Sequence, residues 1–241
     1  MSVSMEDADV ETSSEGYARR FSGPVGAFFL ETQAQATLDL LAPFAGASTL
    51  DVGGGHGQLT GTLVEAGHAV TIFGSDPLCR ERVSRWVDAG RARFEAGDLL
   101  ALPFADGAFD VVLSFRLLPH VSRWSDLVGE LCRVARRAVV VDYPSSRSVN
   151  AMAGALFGAK RGVEGDTRPF AVFRDAELEA AFARHGFRPT GRRRQFLFPM
   201  ALHRALRLSQ LSRSIEGVAR ALGLVRAFGS PVILRLEPSR A

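Results

Sequence analysis

The sequence predicts an α/β fold, a doubly wound and mostly parallel sheet with helices on both faces. Three observations predict it. Short apolar or β-branched runs alternate with helical runs between residues 49 and 141. Two of these runs, Phe109–Phe115 (FDVVLSF) and Ala138–Val141 (AVVV), are too continuously apolar for a strand with one face in water. The first run, Thr49–Val52, ends in a glycine-rich loop that opens a helix. Strands alternating with helices of this length must be joined by crossovers, which makes neighbours parallel and covers both faces.

Each element has a local reason. Ser22-Gly23-Pro24 opens an apolar helical stretch to about Leu41, and Pro43 stops it. Gln58–Ala66 is helical and Gly67 closes it. Ala69–Phe73 is β-rich, and Asp76-Pro77 then starts a helix to about Val87. Ala92–Glu95 is a short strand. Ser122–Val134 carries Trp124, Leu127, Leu131 and Val134 on one helical face. Beyond Pro144, residues 145–174 have no clean period and predict a loop or lid. Asp175–His185 is a helix stopped by Gly186, and Gln195–Phe198 and Pro231–Leu236 are two last strands. Between them, residues 200–226 predict two helices broken near Ser209. The second has Leu208, Leu211, Ile215, Val218, Leu222 and Val225 on one stripe that calls for burial.

Composition narrows the function classes. With 46% hydrophobic and 23% charged residues over 241, the chain is neither fibrous nor largely disordered. No apolar run reaches the ~18 residues of a membrane span. Residues 1–16 hold five acids and no base, the opposite of a secretory signal, and predict an acidic disordered tail. Residues 17–241 then form one domain. Only Cys79 and Cys132 are present, without histidines at ligand spacing, so neither a disulfide framework nor a metal site is expected and a cytoplasmic setting is. Positive charge is local: residues 186–226 hold nine arginines against Glu216 alone. A nucleic-acid binder would show a broader basic face with interleaved aromatics.

The chemistry is concentrated in Asp51-Val52-Gly53-Gly54-Gly55-His56-Gly57. Glycines there permit positive φ and close backbone approach to a ligand. A dinucleotide loop needs G-x-G-x-x-G, but the third position is Gln58 in one register and Thr60 in the other. What remains is D-x-G-x-G-x-G, with an acid at the strand end. That chemistry suits a ligand with a cationic ammonium and no pyrophosphate. Downstream lie Gly97-Asp98-Leu99, Leu102-Pro103-Phe104 and Phe109-Asp110-Val111-Val112, then Glu130-Leu131-Cys132-Arg133-Val134.

Together these motifs resemble the class I S-adenosylmethionine (SAM) dependent methyltransferases, in the branch of the ubiquinone and menaquinone methyltransferases, over about residues 45–145. The resemblance implies a Rossmann-like seven-stranded sheet and SAM as cofactor. It implies that Asp51, Gly53, Gly55 and Gly57 carry the methionine part, that Asp76 takes the ribose hydroxyls, and that Asp98 with the Leu99 backbone meets the adenine. Asp76 stands about two residues later than the family spacing, and Asp-Pro before a helix is equally an N-cap. Ser114 and Phe115 should border the ligand, although Phe115 also reads as core.

The implied activity is O- or C-methylation of a small, partly hydrophobic molecule. The rivals are a nicotinamide-dependent oxidoreductase and a non-catalytic SAM-binding partner subunit. No catalytic residue is fixed; His120 is the one candidate base, and a helix-capping role competes with it. His56, inside the glycine loop, is expected to touch the cofactor, and His68, His185 and His203 to be surface or packing residues. Tyr17-Ala18-Arg19-Arg20-Phe21 resembles a stretch that folds over SAM in related enzymes. The 200–226 insertion departs from the family pattern and predicts a helical cap over the acceptor, with a solvated basic face, a homodimer surface and a lipid contact as the other readings.

Overall fold

The computed structural model describes residues 6–149, 151, 170–206 and 208–239. It contains one seven-stranded sheet in the order β3-β2-β1-β4-β5-β7-β6. The strands are β1 (Ser48–Val52), β2 (Ala69–Gly74), β3 (Ala92–Ala96), β4 (Phe109–Ser114), β5 (Ala135–Tyr143), β6 (Phe187–Phe196) and β7 (Ser230–Pro238). The pairs from β3 to β5 are parallel, while β7 runs antiparallel to β5 and to β6. The predicted Rossmann-like sheet is therefore present, with helices inserted between its last two strands.

The α-helices that accompany it are α1 (Ala8–Thr12), α2 (Glu15–Arg19), α3 (Gly23–Leu41), α4 (Thr60–Glu65), α5 (Ser84–Asp88), α6 (Trp124–Val134), α7 (Asp175–Ala183), α8 (Met200–Leu206), α9 (Ser209–Ala221) and α10 (Leu224–Phe228). The sheet divides the core by its period of two. Val112, Val139 and Val141 face α6 and α7, where Leu127, Leu131, Leu178 and Phe182 are buried. Val111, Leu113 and Val140 face the other layer, with Leu40 and Leu63. The strand order reverses between β1 and β4, and ligands of open α/β sheets bind in the crevice at such a switch point.

Four sequence expectations need correction. The helix expected after Asp76-Pro77 is a 3-10 segment over Pro77–Val83, followed by the short α5. The strand expected at Gln195–Phe198 begins at Phe187, because β6 pairs with β7 along its whole length. The acidic tail is not disordered from residue 6 onward: α1 buries Asp9 and Thr12 completely or nearly so. The insertion holds three helices rather than two, since Gly223 at φ 73° turns the chain into α10. The expected lid at 145–174 falls largely outside the described residues.

The predicted stripe is also largely reversed, Val225 alone of its six members being buried. Leu208, Leu211, Val218 and Leu222 are 41–69% exposed, while Ser212, Glu216 and Ala219 are buried. The reason is polar. The Glu216 carboxylate accepts the Leu197 and Phe198 backbone N–H groups, each at 2.9 Å, and meets His203 Nε2 at 3.0 Å. Strong local acceptors, not apolar area, decide which face turns inward. His203 is itself wholly buried, ringed edge-on by Phe28, Phe29 and Phe196.

Candidate active site

The glycine loop follows β1 and is shaped residue by residue. Gly53 (φ 76°) and Gly57 (φ 69°) are left-handed, where side chains with a Cβ are strained. Gly55 is not; its need is space. A Cβ there would lie 2.6 Å from the Cys79 carbonyl oxygen and 2.5 Å from Ser13 Oγ. Gly54, which sequence reasoning passed over, is required by Asp51, since its Cβ would fall 2.3 Å from the Asp51 carboxylate.

Asp51 is fully buried and neither carboxylate oxygen has a hydrogen-bond partner in the protein. Burial, and then the nearby Asp142 charge, push its pKa up to about 7. Ser114 Oγ, at the end of the neighbouring strand β4, is likewise buried without a partner. Buried polar atoms are normally satisfied, so two orphaned groups at adjacent strand ends point to a polar ligand. An ammonium group would pair with Asp51 directly. The donor set thus fits the amino-acid end of SAM.

The other expected residues sit at the next strand ends. Asp76 Oδ1 accepts the Leu78 N–H at 2.8 Å and caps the 3-10 segment, so the capping role is filled. Asp98 Oδ1 accepts the Leu100 N–H at 2.8 Å, and Leu99 is fully buried. The Gly97 N–H to Gly74 carbonyl bond of 2.9 Å holds these two turns together. Phe115 belongs to the core on the far side of the sheet. His56 is turned inward, with Nε2 3.3 Å from the Phe115 carbonyl and Nδ1 accepting the Gln58 N–H at 3.1 Å. Burial first, and then Arg116, lower its pKa to about 4. It braces the loop in neutral form.

Sequence reasoning missed the group beside Asp51. Asp142 is the penultimate residue of β5 and is buried, and its Oδ1 accepts the Arg116 N–H at 2.6 Å. The Arg116 Nε lies 3.5 Å from Asp142 Oδ2, and its guanidinium donates to Gln33 at 2.7 Å. Arg116 has φ 60°, an unusual conformation for a non-glycine residue and one that clusters at functional sites. Burial outweighs the guanidinium, and the Asp142 pKa is raised. The available signal was position alone: each residue follows or ends an apolar strand.

Arg116 and Asp142 form the polar floor of a cavity of about 250 Å³. Tyr17, Phe29, Tyr143, Phe196 and Phe198 supply aromatic wall, and His120 stands at its edge against the Phe170 ring. Tyr17 lines this cavity. The insertion contributes Met200 and the preceding strand end contributes Phe198. A larger cleft, about 610 Å³, lies against β6 and α10 and is lined mainly by arginines. Arg192 and Arg194 there are paired with Asp175, which also accepts the Tyr143 hydroxyl at 3.0 Å.

No helix among the described residues is long and apolar enough to cross a membrane. A methyltransferase-domain family model, Methyltransf_11, matches residues 50–141. The ubiquinone/menaquinone biosynthesis C-methyltransferase UbiE of Roseobacter denitrificans is 32% identical over 118 residues, 45% of this chain and 47% of that protein. The chain thus matches less than half the length of that relative. The demethylmenaquinone methyltransferase of Tropheryma whipplei is 29% identical over 197 residues, covering 72% of this chain and 80% of its own. The magnesium protoporphyrin IX methyltransferase of Synechocystis PCC 6803, solved with bound SAH, superposes with a TM-score of 0.66 over 92% of this chain and 93% of its own, at 14% identity. The glycine loop, the unpaired Asp51 and the sheet order agree with these matches: residues 50–141 match a methyltransferase domain, and the chain has the fold of the class I SAM-dependent methyltransferases.

Proposed function

We propose that this protein transfers the methyl group of SAM to a small, partly hydrophobic acceptor at oxygen or carbon, and that a planar, quinone- or phenol-like ring is the acceptor class. The observation that carries it is the adjacency of an unpaired buried carboxylate, Asp51, to an aromatic-walled cavity floored by Arg116 and Asp142. SAM, when bound, supplies an electrophilic methyl group on a sulfonium leaving group. In-line displacement of that kind asks the protein for orientation and exclusion of water.

The chain's residues divide that work. Asp51 receives the ammonium, and Gly53, Gly55 and Gly57 let the loop backbone come close. Asp76, Asp98 and Leu99 hold the nucleoside, with Ser114 between the two ends. Aromatic walls orient a flat acceptor by stacking. Arg116 places an acceptor oxygen by charge-assisted hydrogen bonding. His120 at the cavity edge takes the proton that an O–H or acidic C–H acceptor gives up. The C-methyltransferase name of the Roseobacter denitrificans relative supports carbon as the receiving atom.

The test is calorimetric titration with SAM, SAH and NAD, followed by methyl-transfer assays on hydroxylated aromatic rings with and without an apolar tail. SAM and SAH binding without NAD binding, and turnover on at least one ring acceptor, are expected. NAD binding without SAM binding contradicts the reading. Tight SAM binding with no transfer to any acceptor favours a non-catalytic SAM-binding subunit.

A further inference from the structure

The N-terminal helix α1 lies in the crevice where the cofactor's nucleoside half belongs. Asp9 is 0% exposed. Its carboxylate accepts the Ser75 N–H at 2.8 Å, the Ser75 hydroxyl and, at 3.4 Å, the Cys79 thiol. A Cβ on Gly74 would lie 3.3 Å from Asp9 Oδ2. Ala8 is buried in the core cluster that holds Val52, Phe73 and Leu99. Ser13, just past α1, closes on the glycine loop, where its Oγ lies 2.5 Å from a Cβ on Gly55. The glycine loop and the end of β2 bound the nucleoside side of the crevice, and α1 packs against both.

We propose that α1 is a displaceable plug of the SAM site, latched by Asp9, and that SAM or SAH binds only when α1 swings out. This rests on the function proposed above. Three features make the plug removable. It is five residues long, too short to be a stable helix by itself. Its latch is a single side chain, so release asks only that the Asp9 carboxylate exchange its three donors for water. Its flanks are held by exposed contacts: the Arg123 N–H donates to Glu6 at 3.3 Å, and Glu15 pairs with Arg82. Such surface contacts are individually weak. The Ser75 N–H bonded to Asp9 and the loop space filled by Ser13 are then contested between chain and cofactor. Return of α1 after methyl transfer would help expel the demethylated product.

The test uses full-length protein and SAH, which binds without reacting. Asp9→Ala cuts the latch; SAH affinity should rise about tenfold, and amide hydrogen exchange over residues 8–13 should quicken without SAH. In wild type, SAH itself should quicken exchange over the same residues. A fall in affinity in Asp9→Ala, or protection of residues 8–13 by SAH, overturns the proposal and makes Asp9 part of the cofactor's own grip. A second variant, Asp9→Cys, places a thiol next to Cys79. Oxidised to the disulfide, it should lose SAH binding, and reductant should restore it. Equal affinity in the locked and reduced forms overturns the proposal even if Asp9→Ala fails to fold. Failure of every form to bind SAH, with the latch intact, cut or reduced, counts instead against the methyltransferase reading beneath it.

Discussion

Two carboxylates, Asp51 and Glu216, are buried to nearly the same degree and live in opposite circumstances. Glu216 is satisfied on both oxygens by two backbone N–H groups and His203. Asp51 has no partner on either oxygen. The first knots the insertion to the end of β6. The second leaves a charge site open at the carboxyl end of β1. Burial alone therefore does not mark function; what sets Asp51 apart is a buried carboxylate with both oxygens unpaired at a strand end. Glu216 lowers the energy of the folded chain, whereas Asp51 costs stability that a cationic ligand returns.

Breaking the satisfied carboxylate should have the largest effect on stability. Glu216→Ala strands His203 and two buried N–H groups, and should cost about 3–5 kcal/mol in denaturant unfolding. SAM affinity of the folded fraction should stay within twofold, because the knot lies away from the glycine loop.

Asp51→Asn should act in the opposite sense on stability. Removing an unpaired buried acid should stabilise the protein at pH 7 by about 1–3 kcal/mol, discounting the raised pKa for relaxation. The same change should weaken SAM binding by roughly 1.5–3 kcal/mol, the scale of a hydrogen bond to a charged group. Calorimetry and thermal melts of one preparation read both. A destabilised Asp51→Asn would mean that Asp51 is a structural acid like Glu216.

Asp76→Ala sharpens the contrast at a half-filled group. Loss of the cap on Leu78 should cost about 1 kcal/mol of stability. A further fall in SAM affinity would show that the carboxylate serves the ribose as well, and unchanged affinity would leave it a cap.

The smallest effect is expected at Leu222, 69% exposed on α9. Leu222→Gln should move stability by less than about 0.5 kcal/mol.

That last expectation reverses the one drawn from periodicity, and the reason is instructive. A stripe of leucines and valines records where apolar residues fall on a helix, not which face the tertiary partners claim. Three neighbours of Glu216, two of them backbone groups, outbid the stripe. In the parallel half the pattern was a sound guide: FDVVLSF and AVVV are strands because only a doubly covered sheet can bury both faces. The glycine loop was legible for a similar reason, since few backbones need glycine at Gly53 and Gly57 together. Arg116 and Asp142 were not legible, because a single arginine and a single aspartate acquire meaning only when two strand ends meet. The tail misled because its acidic composition matches a solvated segment, yet Asp9 finds the Ser75 N–H and is buried.

The most direct test of the Asp51 site is the pH dependence of SAM binding. Its folded pKa is raised from about 4 to about 7, so the free protein keeps a proton there that the unfolded chain has lost. Stability from this group is therefore full below about pH 4 and declines as pH rises to about 7. An ammonium ligand prefers the ionised form, so binding must expel that proton. Calorimetric titrations from pH 5.5 to 7.5 in buffers of different ionisation enthalpy should show affinity rising with pH and about one proton released per SAM near pH 6, both absent in Asp51→Asn. Affinity independent of pH, with no proton release and no difference between wild type and Asp51→Asn, would contradict the assignment.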